Sequence, residues 1–438
     1  MAILTKEEAK QIIDKVLSYA KADETAVSIS GGRTGNIRYA RNTVNTSGET
    51  NEITLNITSV YGKRSGSASV NELDDESLRR AVVRAEEIAQ LAPENPEYMP
   101  MLGPQQYIES KTFVESTNKI NPDYRAQVAY DSITPSGEKN LTAAGYLEDF
   151  SGFSAMGNSK GMFGYNKSTS VDFSVTVRTA DGTGSGYSSR DFNDASLLNS
   201  REVTTLAMQK AQASVNAQAI EPGKYTVILE PTAAFDLMRL LTSGMDARSA
   251  DEGRSFLSKK GGGTRLGEKL FDERVNIYSD PTHPEIPSAP WTNEGFPREK
   301  TTWVEKGVVK NMFYSRYWAS KQGVTPVGRP GGVIIEGGDQ SIADMIKSTE
   351  RGVLVTRFWY IRAVDPQTLL YTGLTRDGTF YIEDGQIKFP VKNFRFNESP
   401  IIMLNNIEAL GKLQRVGGNM IPAMKIRDFT FTSLSDAV

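Results

Sequence analysis

Cysteine is missing from all 438 residues. That absence removes disulfides, thiolate catalysis and cysteine-ligated zinc or iron–sulfur centres in one step. Histidine is nearly missing too: the single copy, His283, lies in the loop sequence Asp280-Pro-Thr-His-Pro-Glu285. A self-contained zinc hydrolase draws on two or three imidazoles, so the chain is not expected to hold such a zinc by itself. A lone loop histidine between prolines reads as a surface residue rather than a triad member. An excess of either charge is also lacking. The formal net charge of −3 argues against a general nucleic-acid binder, which carries a basic surface. No apolar run approaches the roughly 18–20 residues that a membrane helix needs. The first residues, MAILTKEEAKQII, are charged and helical in pattern rather than a signal peptide, which makes a cytoplasmic location the expectation.

What is present suffices for two or three domains with a sizeable core. Thr5-x-x-Glu8 is a capping-box pattern, and Ala9, Ile12, Ile13, Val16, Leu17 and Ala20 follow at helical spacing. Strand-like stretches come next at Thr25–Ser30, Asn36–Asn45 and Glu52–Val60, then a Gly-turn and short strand, then a helix over Asp74–Leu91. Proline-rich Pro93–Pro104 reads as a connector. Beyond it the order recurs: a helix near Pro122–Ser132, strands from Leu141, the alternating strand Thr169–Ala180, a Gly-turn, and a helix over Ser200–Ala217. The matching order suggests a structural duplication within an N-terminal α+β domain at 1–222, with halves at 1–92 and 105–220. Glu221-Pro-Gly-Lys224 marks a boundary. From 223 to 438 the chain is strand- and turn-rich, and it reads as a mainly antiparallel β domain of barrel-like type with helices at Gln340–Ser348 and Asn405–Lys412.

Three local patterns invite chemistry, and each has a plainer account. Lys260-Gly-Gly-Gly263-Thr264 could cradle a phosphate, but Glu268 stands where a P-loop needs lysine, and the loop follows a helix rather than a strand. Val355–Arg362 (VTRFWYIR) could stack bases, yet a strand buried on one face needs the same residues. Trp291-Thr-Asn-Glu-Gly-Phe-Pro297 sets one carboxylate beside a turn, with neither a second acid nor a metal to work with.

Four blocks carry a family resemblance: Ser65–Leu91; Gly253-Arg-Ser-Phe256 through Leu266-Gly267; Asn293–Pro297 with Glu305–Val308 and Arg316–Gly328; and Tyr381–Lys388 with Pro390-Val-Lys392. In order and spacing they resemble the TldD/PmbA family, also called the modulator-of-DNA-gyrase or U62 peptidase family. The resemblance implies an N-terminal α+β domain, a C-terminal β domain, and a two-subunit peptidase whose TldD-type subunit carries zinc on an HExxxH helix. The equivalent stretch here is the amphipathic helix pattern from Pro231, spanning 231–250. Aligned from that proline, Asp236 and Leu237 replace the first His-Glu, and Leu241 replaces the second His. The family's late Cys-Gly motif is replaced by Arg415-Val-Gly-Gly418. The chain therefore looks like the metal-free TldE/PmbA-type member. That implies no cofactor in this chain, zinc only in a TldD-type partner, and a role in holding an extended peptide. Association would be with such a partner or with a second copy as a dimer, and no direct contact with nucleic acid or membrane is expected. Two other readings stay open: a stand-alone peptide-binding scaffold, and a metal-independent peptidase using Asp251, Glu252 or the Ser258-x-Lys260 pair.

Overall fold

A computed structural model describes residues 3–435. The N-terminal half begins as the capping box requires: Thr5 Oγ1 accepts from the Glu8 amide at 3.2 Å, and Glu8 accepts in return from the Thr5 amide at 2.7 Å. Helix α1 (Lys6–Tyr19) is followed by β1 (Glu24–Ala40), β2 (Thr43–Tyr61), β3 (Arg64–Val70) and α2 (Asp75–Leu91). After the connector and a one-turn helix α3 (Glu115–Asn118), the second half repeats the order with α4 (Pro122–Glu138), β4 (Leu141–Asn158), β5 (Phe163–Thr179), β6 (Ser185–Phe192) and α5 (Ser200–Ala213). The six strands form one antiparallel sheet in the order β3-β2-β1-β4-β5-β6, so the two halves meet at the β1–β4 pair.

Alternation along the strands places the apolar side chains on one face. Val27, Ile29, Leu55 and Ile57 pack beneath α1 and α2, and Val171, Phe173, Val175 and Val177 pack with α4 and α5. The two halves share one element order, helix, three antiparallel strands, helix. The separate strands expected at Thr25–Ser30 and Asn36–Asn45 are instead one long strand and its turn, where Arg41 and Asn42 take positive φ between β1 and β2. Glycines inside β1 obscured that continuity. A Cβ at Gly35 would stand 1.7 Å from Arg125 Nη2, because the Arg125 guanidinium crosses there to Asp149 (Nε–Oδ2 2.6 Å) and Glu49 (3.1 Å).

The C-terminal part opens with β7 (Gly223–Leu229), α6 (Pro231–Ser243) and the short α7 (Ala247–Asp251). It continues through β8 (Ile277–Ser279), β9 (Thr301–Glu305), β10 (Val308–Val309), α8 (Arg316–Gln322), β11 (Ile334–Ile335) and α9 (Ile342–Lys347). It ends with β12 (Arg351–Asp365), β13 (Leu370–Glu383), β14 (Gln386–Pro390), β15 (Phe394–Glu398), α10 (Pro400–Asn405), β16 (Ile407–Val416) and β17 (Asn419–Leu434). Strands β17, β15, β13, β12 and β7 pair in turn, and β7 pairs back onto β17, closing a five-stranded ring. The barrel-like expectation is met by that closure, which removes sheet edges. Its core is aromatic: Phe358 stacks on Phe429 at 5.8 Å and Phe394 on Phe431 at 4.5 Å. The helix expected at Asn405–Lys412 is a correction. Only α10 up to Asn405 is helical, and Ile407–Val416 is drawn into a strand by pairing with β17.

Candidate functional site

Helix α6 starts where sequence logic puts it, with Pro231 at a position whose amide needs no partner. The preceding Glu230 is tied to the N-terminal domain, accepting from Lys210 Nζ on α5 at 2.6 Å. This junction sets the helix against the sheet face that its own helices leave uncovered. A cleft of about 390 Å³ opens there. One wall is a cross-strand row of β4, β5 and β6, in which Tyr146 faces Ser174, Ser174 faces Ser189, and Asp172 faces Asp191. The other wall is Thr232, Phe235 and Asp236 of α6, Arg357–Trp359 of β12, and Val416-Gly417.

Three titratable groups shifted by burial line this cleft: Asp172, Arg190 and Asp236. Burial pushes the Asp236 carboxyl up to about 6, and Arg239, Arg357 and the Phe358 amide only partly oppose it. Asp172 is also pushed up to about 6, first by the surrounding protein and then by Asp191 opposite, with Arg415 opposing. Its side chain stands open at the cleft mouth, so solvent screens much of that effect, and Asp236 is the more firmly shielded of the two. Arg190 is drawn below its ordinary range by burial. Arg357 lies 3.9 Å from the Tyr187 ring and donates Nε to buried Asp377 at 2.7 Å. Asp377 also accepts from Ser185 of β6, so one carboxylate ties both walls.

The far corner is closed by Asp191. It accepts from the Gly417 and Gly418 amides at 2.7 and 2.8 Å and from Arg415 Nε at 2.8 Å. Arg415 further donates to Asn193 Oδ1 at 2.9 Å and to the Glu285 carbonyl. The segment standing in place of the Cys-Gly motif is thus a strut between domains.

The three diverged positions do not share a face. Asp236 enters the cleft, whereas Leu237 and Leu241 are fully buried among the core side chains of the C-terminal domain. The helix instead turns Thr232, Phe235 and Asp236 to the cleft. A zinc site needs three or four N, S or O donors converging on one point. Among the described residues no three His, Cys, Asp or Glu side chains form such a group, and the residues at this cleft do not fit one.

The other sequence candidates lie elsewhere. Asp251 accepts from Trp318 Nε1 at 2.6 Å, Glu252 is held by Arg248 and Arg254, and Lys260 stands in an exposed glycine loop. These contacts make Asp251 and Glu252 parts of the packing around α7. His283 Nδ1 accepts from the Glu285 amide at 3.2 Å, a local turn contact. Of the aromatic segment Val355–Arg362, Val355 and Phe358 face the core, while Trp359 and Tyr360 are exposed. Arg190 and Asp191 lie outside every pattern read from the sequence, while Asp172 enters it only within Thr169–Ala180 and Arg357 only within Val355–Arg362. For Asp172 the one signal is a charged residue at the solvent-side position of the alternating strand TSVDFSVTVRTA.

Models of one family match three successive stretches: PmbA/TldA metallopeptidase domain 1 over residues 25–89, the central domain over 121–215, and the C-terminal domain over 222–433. A metalloprotease of Methanothermobacter thermautotrophicus is 25% identical over 301 residues, which is 63% of this chain and 63% of that protein. This match thus spans less than two thirds of the relative's length. The metalloprotease PmbA of Escherichia coli O157:H7 is 24% identical over 97% of this chain and 98% of its own. The solved structure of TldE from Thermococcus kodakarensis superposes with a TM-score of 0.86 at 20% identity, covering 97% of this chain and 99% of that one, a likeness of fold.

Proposed function

The chain belongs to the PmbA/TldD metallopeptidase family, and on that premise we propose that it is the non-metal-binding subunit of a zinc peptidase. Its work is to complete the cleft of a TldD-type partner and to hold a small or unfolded peptide there. The observation that carries this reading is the state of α6. The helix borders the interdomain cleft, yet it turns Thr232, Phe235 and Asp236 toward it and keeps Leu237 and Leu241 in the core. A metal-dependent water has nothing to bind it on this helix. The cleft nonetheless offers what an extended peptide needs: a row of hydroxyls on strands, three carboxyls, and arginines on both walls.

A metal-independent peptidase is the second reading, and the shielded Asp236 carboxyl at the cleft favours it over Asp251, Glu252 or Ser258-x-Lys260. A carboxyl pushed up to about 6 is suited to general acid–base work near neutrality. One experiment separates the two. Metal content and hydrolysis of an unfolded peptide pool are measured for the purified chain, for a TldD-type subunit from the same organism, and for the mixture. Activity confined to the mixture supports the subunit reading. Stoichiometric zinc in the isolated chain would sink it, and metal-free hydrolysis by the isolated chain that disappears in Asp236→Asn would establish the second.

A further inference from the structure

A second cleft is somewhat larger than the interdomain one. It has a volume of about 460 Å³ and lies in the C-terminal domain, between the Trp291–Arg298 turn, β9 and the Thr325–Gly332 loop. Arg298 is part of its lining. The backbone there is fixed: the Arg298 amide donates to the Pro290 carbonyl at 2.9 Å, Phe296 donates to Thr292 Oγ1 at 3.2 Å, and Tyr107 of the connector donates to the Gly295 carbonyl at 2.7 Å. The Arg298 side chain is only partly exposed, and its Nε is shut off from solvent with no hydrogen-bond partner. Among the described residues it has no carboxylate within ion-pair distance. Burial draws the guanidinium below its ordinary range with no opposing acid.

Most arginines in this chain's partly buried positions are neutralised: Arg125 by Asp149, Arg357 by Asp377, Arg415 by Asp191. An unpaired guanidinium in such a site is costly unless an anion meets it. The neighbouring chain makes room for this one. A Cβ on Gly331 would stand 1.9 Å from Arg298 Nη1 and 2.5 Å from Ser288 Cβ, so the guanidinium occupies space that a side chain at 331 would take. The other cations at the cleft have partners: Arg329 donates to Asp246 at 3.2 Å, and Lys300 stands 3.9 Å from Asp280. Glu299, the remaining charge, is exposed. The interior of the cleft therefore carries one uncompensated positive charge, which matches a monoanion and a planar two-oxygen acceptor rather than a doubly charged phosphate.

We infer that this cleft is a carboxylate-binding site in which Arg298 takes the carboxylate of a peptide, either its C-terminus or an acidic side chain. The carboxylate chemistry stands on Arg298 and Gly331 alone; the peptide as its carrier rests on the reading of the chain as a peptide-handling subunit. The site is separate from the interdomain cleft, with no lining residue in common.

The test uses the full chain with neither zinc nor a partner, so its failure is distinct from failure of the subunit reading. Binding of N-acetyl-tetra-alanine as the free acid, the same peptide as its amide, and an N-acetyl-Ala-Asp-Ala-Ala amide is measured by calorimetry. The expectation is that one carboxylate-bearing peptide binds at least about 10-fold more tightly than the neutral amide, as a charge-assisted hydrogen bond provides. Which of the two it is identifies the source of the carboxylate. Arg298→Met and Gly331→Val should each abolish the preference, and Arg298→Met without peptide should unfold at a higher temperature than wild type, having lost an unpaired charge. Equal binding of all three peptides, or no binding of any at about millimolar concentration, would overturn the inference. So would tighter binding of inorganic phosphate, or a lower unfolding temperature for Arg298→Met.

Discussion

Replacing Asp191 by alanine should loosen the junction that shapes the interdomain cleft. In the native fold this carboxylate takes three donors, the Gly417 and Gly418 amides and Arg415 Nε, all within 2.7–2.8 Å. Both side chains of the Asp191–Arg415 pair are 11% exposed, so water screens them little. Removing one partner of such a pair costs about 3–5 kcal/mol, because the surviving charge stays shielded and unmatched. Arg415 keeps two acceptors in Asn193 and the Glu285 carbonyl, which points to the lower end, about 3 kcal/mol. Spread over local opening, that is about a 150-fold rise in hydrogen exchange at the Gly417 and Gly418 amides. Urea unfolding should show the same loss, and Asp191→Asn, which keeps one acceptor, should fall between. A second readout is electrostatic. Asp191 is one of the two main causes raising Asp172, and Arg415 opposes it. Removing Asp191 should therefore lower the Asp172 carboxyl, seen by NMR titration. Exchange within about 5-fold of wild type, together with stability within about 0.5 kcal/mol, would refute the view that this contact holds the domains.

Asp236 gives a pH dependence with a definite sign. Its carboxyl titrates near 6 in the fold against a reference of 3.8, so between those values the folded state binds the extra proton and stability falls as pH rises. The ceiling is about 3 kcal/mol, from 2.2 units at 1.36 kcal/mol each, and Asp236→Asn should recover much of it at pH 7 while flattening unfolding profiles between pH 4 and 6. Leu241→His should cost about 2–5 kcal/mol and bring no stoichiometric zinc, even combined with Asp236→His and Leu237→Glu, because position 241 points into the core; thermal unfolding and metal analysis check both. Phe396→Ala should cost about 3–5 kcal/mol by opening the aromatic core where Phe396 meets Phe358 at 4.6 Å, read from urea midpoints at unchanged slope.

Local elements were legible in the sequence wherever one principle decided them. The Thr5–Glu8 box, the helix over Asp74–Leu91 and the alternation of Thr169–Ala180 each appear as read. Boundaries failed where tertiary pairing overrode local preference. Residues 407–412 carry a helix-compatible pattern, yet β17 offers partners to Ile407, Ala409 and Leu410, and Gly338 and Gln340 offer them to Gly411 and Lys412. The repeated element order was legible because order survives loss of identity. Which strands close the ring was not, because the β7–β17 pairing joins residues about two hundred positions apart and leaves no local trace.

The cleft shows the same division more sharply. Asp236 was found because it stands on a helix of known importance, but its neighbours come from five other segments that only the fold assembles. Like charges set directly opposite on adjacent strands, as Asp172 and Asp191 are, destabilise a sheet unless something offsets them. Arg415 is that offset, and it comes from the other domain. The acidic row is therefore compatible with the N-terminal sheet only while the C-terminal domain is docked, so the geometry of the cleft and the joining of the two domains depend on the same charges. A change that weakens docking should reshape the cleft before it unfolds either domain, which is why the Asp191 variants are the ones to compare first with a partner present.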